Sequence, residues 1–312
     1  MCQSPDARTY AAFAGTVLIG GSNFIAVSFS NRELPPLFGA TVRFALATLL
    51  FLLIAQAWRV PLARGRAAAG PALYGALGVG TGYALLYYAL ISLTAGTTAV
   101  ILATVPLFTL VMAVALRQER LSAPGIAGAV LAVVGIAILS RGALGGDAGW
   151  AYFAAAVGGA VAIAASSVVA RSCRNVHPVN MNAIGMATGA MLLAVGSLIL
   201  RERWALPRGL EAIAAVGYLT TLGSIGLFQI FLYVVNWWTT SATVYAIATM
   251  PVVTVVLGAA MLGEPITPEV LVGGAIVMAA VYVDAVHGPG SPSRVRTAEQ
   301  TSQDVEASGG RR

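Results

Sequence analysis

The sequence predicts an all-α polytopic membrane protein of ten transmembrane helices, built as two inverted five-helix repeats. Three observations carry that expectation. Of 312 residues, 58% are apolar and 10% charged, whereas water-soluble domains carry about 25% charged residues. Apolar runs near the ~20 residues needed to cross a ~30 Å hydrocarbon core recur at short intervals. The second half of the chain also repeats the first.

The runs lie near residues 10–29, 37–57, 71–92, 96–116, 123–140, 149–170, 179–200, 210–234, 240–262 and 268–286. Breakers separate them: Pro35-Pro36, Pro61, Pro124, Gly145-Gly146, Pro178, Pro207 and Pro265 stand where helices stop. The expected organisation is a short N-terminus (1–9), a first five-helix repeat (10–140), a linker (141–148), a second repeat (149–286) and a disordered tail (287–312) rich in Gly, Pro, Ser, Arg and Glu, a composition that cannot bury a core. The first apolar run is long enough to span and lacks a small-residue cleavage site, so no separate leader is expected.

Sliding the chain by 145 positions aligns Thr97–Ile136 with Ala242–Val281 and gives nine ungapped identities. Alanine and valine matches follow from composition. A mid-span proline (Pro106/Pro251), a glutamate thirteen residues later (Glu119/Glu264) and a glycine nine beyond that (Gly128/Gly273) do not, and they mark a duplication. Five spans per copy is an odd number, so the second copy enters the membrane upside down. With both termini in the cytoplasm, twelve arginines fall inside (Arg8, Arg59, Arg64, Arg66, Arg117, Arg120, Arg171, Arg174 and four in the tail) and five outside (Arg32, Arg141, Arg201, Arg203, Arg208), the bias that sets orientation.

Composition excludes several classes. The net charge of +6 is scattered between apolar runs and forms no stripe for nucleic acid. Cys2, Cys173, His177 and His287 are the whole thiol and imidazole inventory, with no metal or redox spacing, so no cofactor, metal, disulfide or catalytic residue is expected. An intramembrane enzyme lacks its nucleophile and base. A channel lacks a filter loop or charge ring.

The run Gly21-Ser22-Asn23-Phe24-Ile25-Ala26, the Leu34-Pro35-Pro36 turn followed by Arg43-Phe44, and the Ala99-x6-Pro106 helix ending in Gln118-Glu119-Arg120-Leu121 resemble the EamA-type drug/metabolite transporters. Ala248-Thr249-Met250-Pro251 and Leu262-Gly263-Glu264-Pro265-Ile266 carry the signature a second time. The resemblance covers residues 10–286. It implies an inner-membrane carrier that exposes a central cavity alternately to either side and exports small metabolites, amino acids or related amphipathic compounds foremost. Organic cations or drugs, and nucleoside- or sugar-type compounds, are the alternatives, and a channel or lipid scramblase the remoter one. The first span has no acid, unlike the small proton-coupled relatives, so antiport of that kind is not expected.

Candidate binding residues are the polar groups at membrane depth, which must face protein or water. On span eight Gln229, Tyr233 and Asn236 fall at i, i+4 and i+7, one helical stripe. Asn23 on span one, Tyr83 and Tyr87 on span three, Ser166 on span six and Tyr245 on span nine complete an amphipathic pocket. Pro106 and Pro251 each delete a helix hydrogen bond and are candidate hinges, with Thr104 and Thr249 placed to stabilise the bends. Arg43, about seven residues into span two, is placed to meet an anionic substrate group, to pair with Glu33, or to reach the outer interface. Glu119 and Glu264 precede the helices beginning near Pro124 and Pro268, whose N–H groups they are expected to cap, with a gating role as the alternative. The expected partners are a small-molecule substrate and the bilayer. A monomer is expected, with dimerisation through Gly185-x3-Gly189 or Gly273-Gly274 as the alternative.

Overall fold

A computed structural model describes residues 7–117, 123–143, 149–173, 176–227, 230 and 240–287, and no strand occurs among them. Span one is α1 (Ala7–Asn31) and span two α2 (Pro36–Ala57). Span three is composite: α3 (Arg66–Tyr74), a π-helical segment (Gly75–Gly82) and α4 (Tyr83–Ala89). Span four is divided into α5 (Ala95–Leu102) and α6 (Val105–Ala115). Spans five, six and seven are α7 (Ala123–Ala143), α8 (Gly149–Ser172) and α9 (Pro178–Ile199). Span eight is described as α10 (Leu210–Thr220) running into a second π segment (Thr221–Gly226). Span nine is α11 (Thr240–Leu257) with a π-helical end (Gly258–Leu262), and span ten is α12 (Pro268–His287).

The starts follow the sequence signals. Pro36 and Pro178 sit at the first helical position, where their missing N–H is an orphan in any case, and Thr94 caps α5 through its side chain. Outward faces carry Leu46, Leu49 and Leu53 on α2 and Val130 and Val133 on α7, all exposed, as a lipid-facing surface requires.

The packing repeats with the sequence. Span one lies against spans eight and nine, and span six lies against spans three and four. Spans two and seven pair with each other, as do five and ten. Exchanging each span for the one five places away leaves this pattern unchanged, which is the signature of two equivalent halves related by a two-fold. One core joins Phe24, Phe44, Phe51, Tyr87, Leu193 and Leu219 from spans one, two, three, seven and eight. A second joins Ile101, Leu139, Ala160 and Val277 from spans four, five, six and ten. Lipid tails are as apolar as leucine, so close backbone approach replaces hydrophobic burial as the cohesive force. A Cβ on Gly75 would run into the backbone carbonyl of Gly185, which ties span three to span seven. Gly135 and Gly273 mark the crossing of spans five and ten, where a Cβ on either stands 3.0 Å from the other's carbonyl oxygen. Gly185 and Gly273 thus serve packing within the chain.

Acidic residues hold the span ends together across the two halves. Glu33 accepts from the N–H groups of Arg208 and Gly209 ahead of α10, at 2.8 and 3.0 Å. Those two bonds hold its carboxyl below the usual value of 4.5. Glu202 accepts from Leu37 and Phe38 in the first turn of α2, at 3.2 and 2.8 Å. Glu264 accepts from Ala95 and Gly96 at the start of α5, at 2.8 and 3.5 Å. This corrects the expectation for Glu264: it caps a helix, but that helix begins span four of the other repeat and not span ten. The chain reverses at Gly263, in the left-handed conformation, and turns the carboxylate back toward α5. Glu119 lies outside the described residues.

The two prolines also differ. Pro106 opens α6 just after a break at Ala103–Thr104, where the Thr104 hydroxyl donates to the Ile101 carbonyl. Pro251 sits inside the continuous α11.

Candidate functional site

A cavity of about 290 Å³ lies where the two halves meet. The first half contributes Arg43 and Phe44 from span two and Tyr74, Val79 and Tyr83 from span three. The second contributes Asn182 and Met186 from span seven, Gly223, Ser224 and Leu227 from span eight, and Met250 from span nine. The two long π segments both reach this cavity and stand at matched places in the repeats, Gly75–Gly82 and Thr221–Gly226, 145 residues apart for most of their length. A π turn inserts one residue per turn and detaches carbonyls from the α ladder. It therefore supplies polar atoms at a depth where a regular helix offers none.

Gly223 shows the effect. Its carbonyl accepts from Asn23 Nδ2 at 3.2 Å and from Arg43 Nη2 at 3.4 Å. A Cβ here would collide with Asn23 Oδ1, so a larger residue would push the Asn23 amide out of its present place. The neighbouring Ser224 hydroxyl donates to the Leu219 carbonyl at 2.9 Å and accepts from Arg43 Nε at 3.4 Å.

Arg43 is the charged member of the wall. It is 2% exposed and stands seven residues, roughly 10 Å at 1.5 Å per residue, from the start of α2. Its guanidinium carbon lies 4.9 Å from the Phe44 ring centroid and 5.3 Å from that of Tyr83, and these two rings meet edge to face at 4.8 Å. Arg43 neither reaches an interface nor pairs with Glu33, whose carboxylate is engaged at Arg208 and Gly209. Aromatic faces and π-segment oxygens solvate the charge in place of water or a carboxylate.

The structure disperses part of the expected pocket. Tyr83 lines the cavity. Asn23 stands behind it, bound to Gly223. Tyr87 is fully buried in the surrounding core, and its hydroxyl has no hydrogen-bond partner. Ser166 is removed from the cavity lining: its hydroxyl donates to Ile163 of its own helix at 2.7 Å and abuts Gly78, so it packs span six against span three. A serine within a helix turns back onto its own backbone this way when no partner faces it. Gln229, Tyr233 and Asn236 lie outside the described residues, as does the side chain of Tyr245. Asn182, Ser224 and Tyr74 were not anticipated. The polar identity of Asn182 at membrane depth was signal enough for it. For Ser224 no signal existed, because its placement follows from the π segment.

Among the described residues no cluster of His, Cys, Asp or Glu has the makings of a metal site, and Cys173 is a free thiol.

The comparisons with known proteins agree with this architecture. The model of the EamA-like transporter family matches twice, over residues 8–141 and 150–284, one match per half. The inner membrane transporter YedA of Escherichia coli strain K12, named as uncharacterized, is 32% identical over 283 residues, 88% of this chain and 90% of that protein. An uncharacterized transporter of Archaeoglobus fulgidus is 26% identical over 288 residues, 88% of this chain and 98% of its own length. A solved crystal structure superimposes with a TM-score of 0.63 at 19% identity, covering 90% of this chain and 98% of that one, and shares its fold.

Proposed function

The chain belongs to the EamA-like transporter family, and from that premise we propose that it is a secondary carrier of the inner membrane that exports small amphipathic metabolites, amino acids foremost, by alternating access. The observation that carries this reading is the lining of the central cavity, drawn from both halves at their paired π segments. A site on the boundary between two inverted repeats opens to one side or the other when one repeat rocks against its twin. Its mixed wall, aromatic at Phe44, Tyr74 and Tyr83 and polar at Asn182 and Ser224, suits a cargo with one apolar and one polar end. The name of YedA, an inner membrane transporter, supports the location, and the arginine distribution supports cytoplasmic termini. In this reading residues 10–140 and 149–286 are the rocking units, Pro106 and Pro251 their flexible points, and Gln229, Tyr233, Asn236 and Tyr245 further members of the pocket.

Counterflow in proteoliposomes tests the proposal. Vesicles preloaded with unlabelled amino acids transiently accumulate an external labelled one if a single cavity alternates. Accumulation of organic cations, nucleosides or sugars in the same assay, with no amino acid exchanged, would move the cargo class. Flux without counterflow for any solute would point to a channel and sink the carrier reading.

A further inference from the structure

We propose that Arg43 is the receptor for a carboxylate group on the cargo, which makes the cavity selective for small monocarboxylates, zwitterionic or simply anionic, over amines. This rests on the carrier reading and names the substrate class of the same site.

A buried guanidinium at membrane depth is costly and is held by an opposite charge or by backbone carbonyls. The acids whose bonds are described are engaged elsewhere. Glu33, Glu202 and Glu264 hold backbone N–H groups at helix starts, and Glu211 pairs with Arg32 at 3.2 Å. Among the described residues Arg43 has no anionic partner.

Its hydrogen bonding leaves room for one. A guanidinium has five N–H donors in a planar fork. Two of them are engaged, with Ser224 Oγ and the Gly223 carbonyl, both at 3.4 Å, well beyond the 2.7–2.9 Å of a charge-assisted bond. The group is therefore held in orientation by long contacts, in a residue that lines the cavity. Tyr87, fully buried beside it, has a hydroxyl without a bonding partner of proper geometry. Planar bidentate donation is the geometry by which arginine takes carboxylates. One fork accommodates one carboxylate, so a second acid on the cargo would be left unpaired in a low-dielectric wall.

Amines fare differently. Among the described residues no acidic side chain lines the cavity. A cationic cargo would face Arg43 with like charge, an unfavourable juxtaposition that rejects the wrong partner. An α-ammonium group on a zwitterion still has the Asn182 amide and the faces of Tyr74 and Tyr83 to meet.

The test uses the full-length carrier purified in detergent and probes in matched triples: alanine, propanoate and ethylamine; leucine, methylpentanoate and isopentylamine; phenylalanine, phenylpropanoate and phenylethylamine. Thermal unfolding is followed as each probe is titrated. We expect at least one carboxylate-bearing pair to raise the unfolding temperature while its amine does not. Arg43→Gln should weaken that response by about 10- to 100-fold, the worth of a charged hydrogen bond, and Arg43→Lys should recover part of it. Stabilisation by amines alone, by none of the carboxylates, or equally in Arg43→Gln overturns the proposal. Wild-type selectivity within a triple reads the site even if a variant fails to fold. Stabilisation by zwitterion but not by simple anion, or the reverse, assigns the source of the carboxylate. If amines exchange in counterflow while carboxylates neither bind nor exchange, the carrier stands and this assignment falls.

Discussion

Glu264, just after span nine, takes a hydrogen bond of 2.8 Å from the backbone N–H of Ala95, the first residue of span four. The carboxylate thus completes a helix that lies 169 residues earlier in the chain. Losing a cap of this kind costs about 0.5–2 kcal/mol. Glu264→Ala should lower resistance to thermal and detergent unfolding by that order, with Glu264→Gln milder because the amide oxygen still accepts. Unaltered unfolding in the alanine variant would show that the bond contributes nothing.

Two glycines in span eight make a paired experiment. A Cβ on Gly223 would meet Asn23 Oδ1, whereas one on Gly217 meets nothing within 4 Å. Gly223→Ala should displace the Asn23 amide from the Gly223 carbonyl, lower stability by about 1–3 kcal/mol and depress counterflow. Gly217→Ala should leave both unfolding and exchange as they are. Equal behaviour of the two variants would mean that the close approach at Gly223 is dispensable.

Glu33 gives a pH dependence with a definite sign. Bonds from Gly209 and Arg208 hold its folded-state carboxyl below the ordinary 4.5. A group whose pKa is depressed on folding stabilises the fold above its unfolded value and loses that contribution as pH falls through the folded one. The wild-type protein should therefore lose stability on acidification below pH 4.5 faster than Glu33→Gln does. Parallel curves would remove Glu33 from the account.

The prolines should separate turnover from binding. Span four is already divided ahead of Pro106, with Thr104 holding the Ile101 carbonyl, so Pro106→Ala removes little that the break does not supply. Pro251 interrupts an otherwise continuous helix. Pro251→Ala should restore its missing backbone bond, stiffen span nine and slow counterflow more than it changes the half-saturating concentration. Normal turnover in the Pro251 variant would refute a hinge there.

Much of the frame was readable because bilayers enforce it. The spans follow from the length of apolar runs, and the duplication from rare residues at a fixed offset, Pro106 with Pro251 and Glu119 with Glu264. Less could be read where one turn departs from 3.6 residues. The π segments at Gly75–Gly82 and Thr221–Gly226 bring Val79, Gly223 and Ser224 to the cavity, and no sequence signal marks them. They also decide what faces Arg43, since the Gly223 carbonyl is free only in that geometry. Ser166 is illegible for a simpler reason: a hydroxyl in a helix can satisfy itself on the preceding turn, and sequence does not show which it does. Glu264 was rightly read as a cap and assigned to the wrong helix, because adjacency along the chain says nothing about what a reversal at Gly263 brings near.

The crossed caps bear on biogenesis. The N–H groups of Leu37, Phe38 and Ala95 find their acceptors in Glu202 and Glu264, which the ribosome has yet to make when spans two and four leave it. The first half therefore enters the bilayer with helix ends that only the second half can close, and a nascent chain stalled at the linker is an unfinished object however well its five spans have inserted. Maturation of this transporter should therefore wait on the arrival of its C-terminal half.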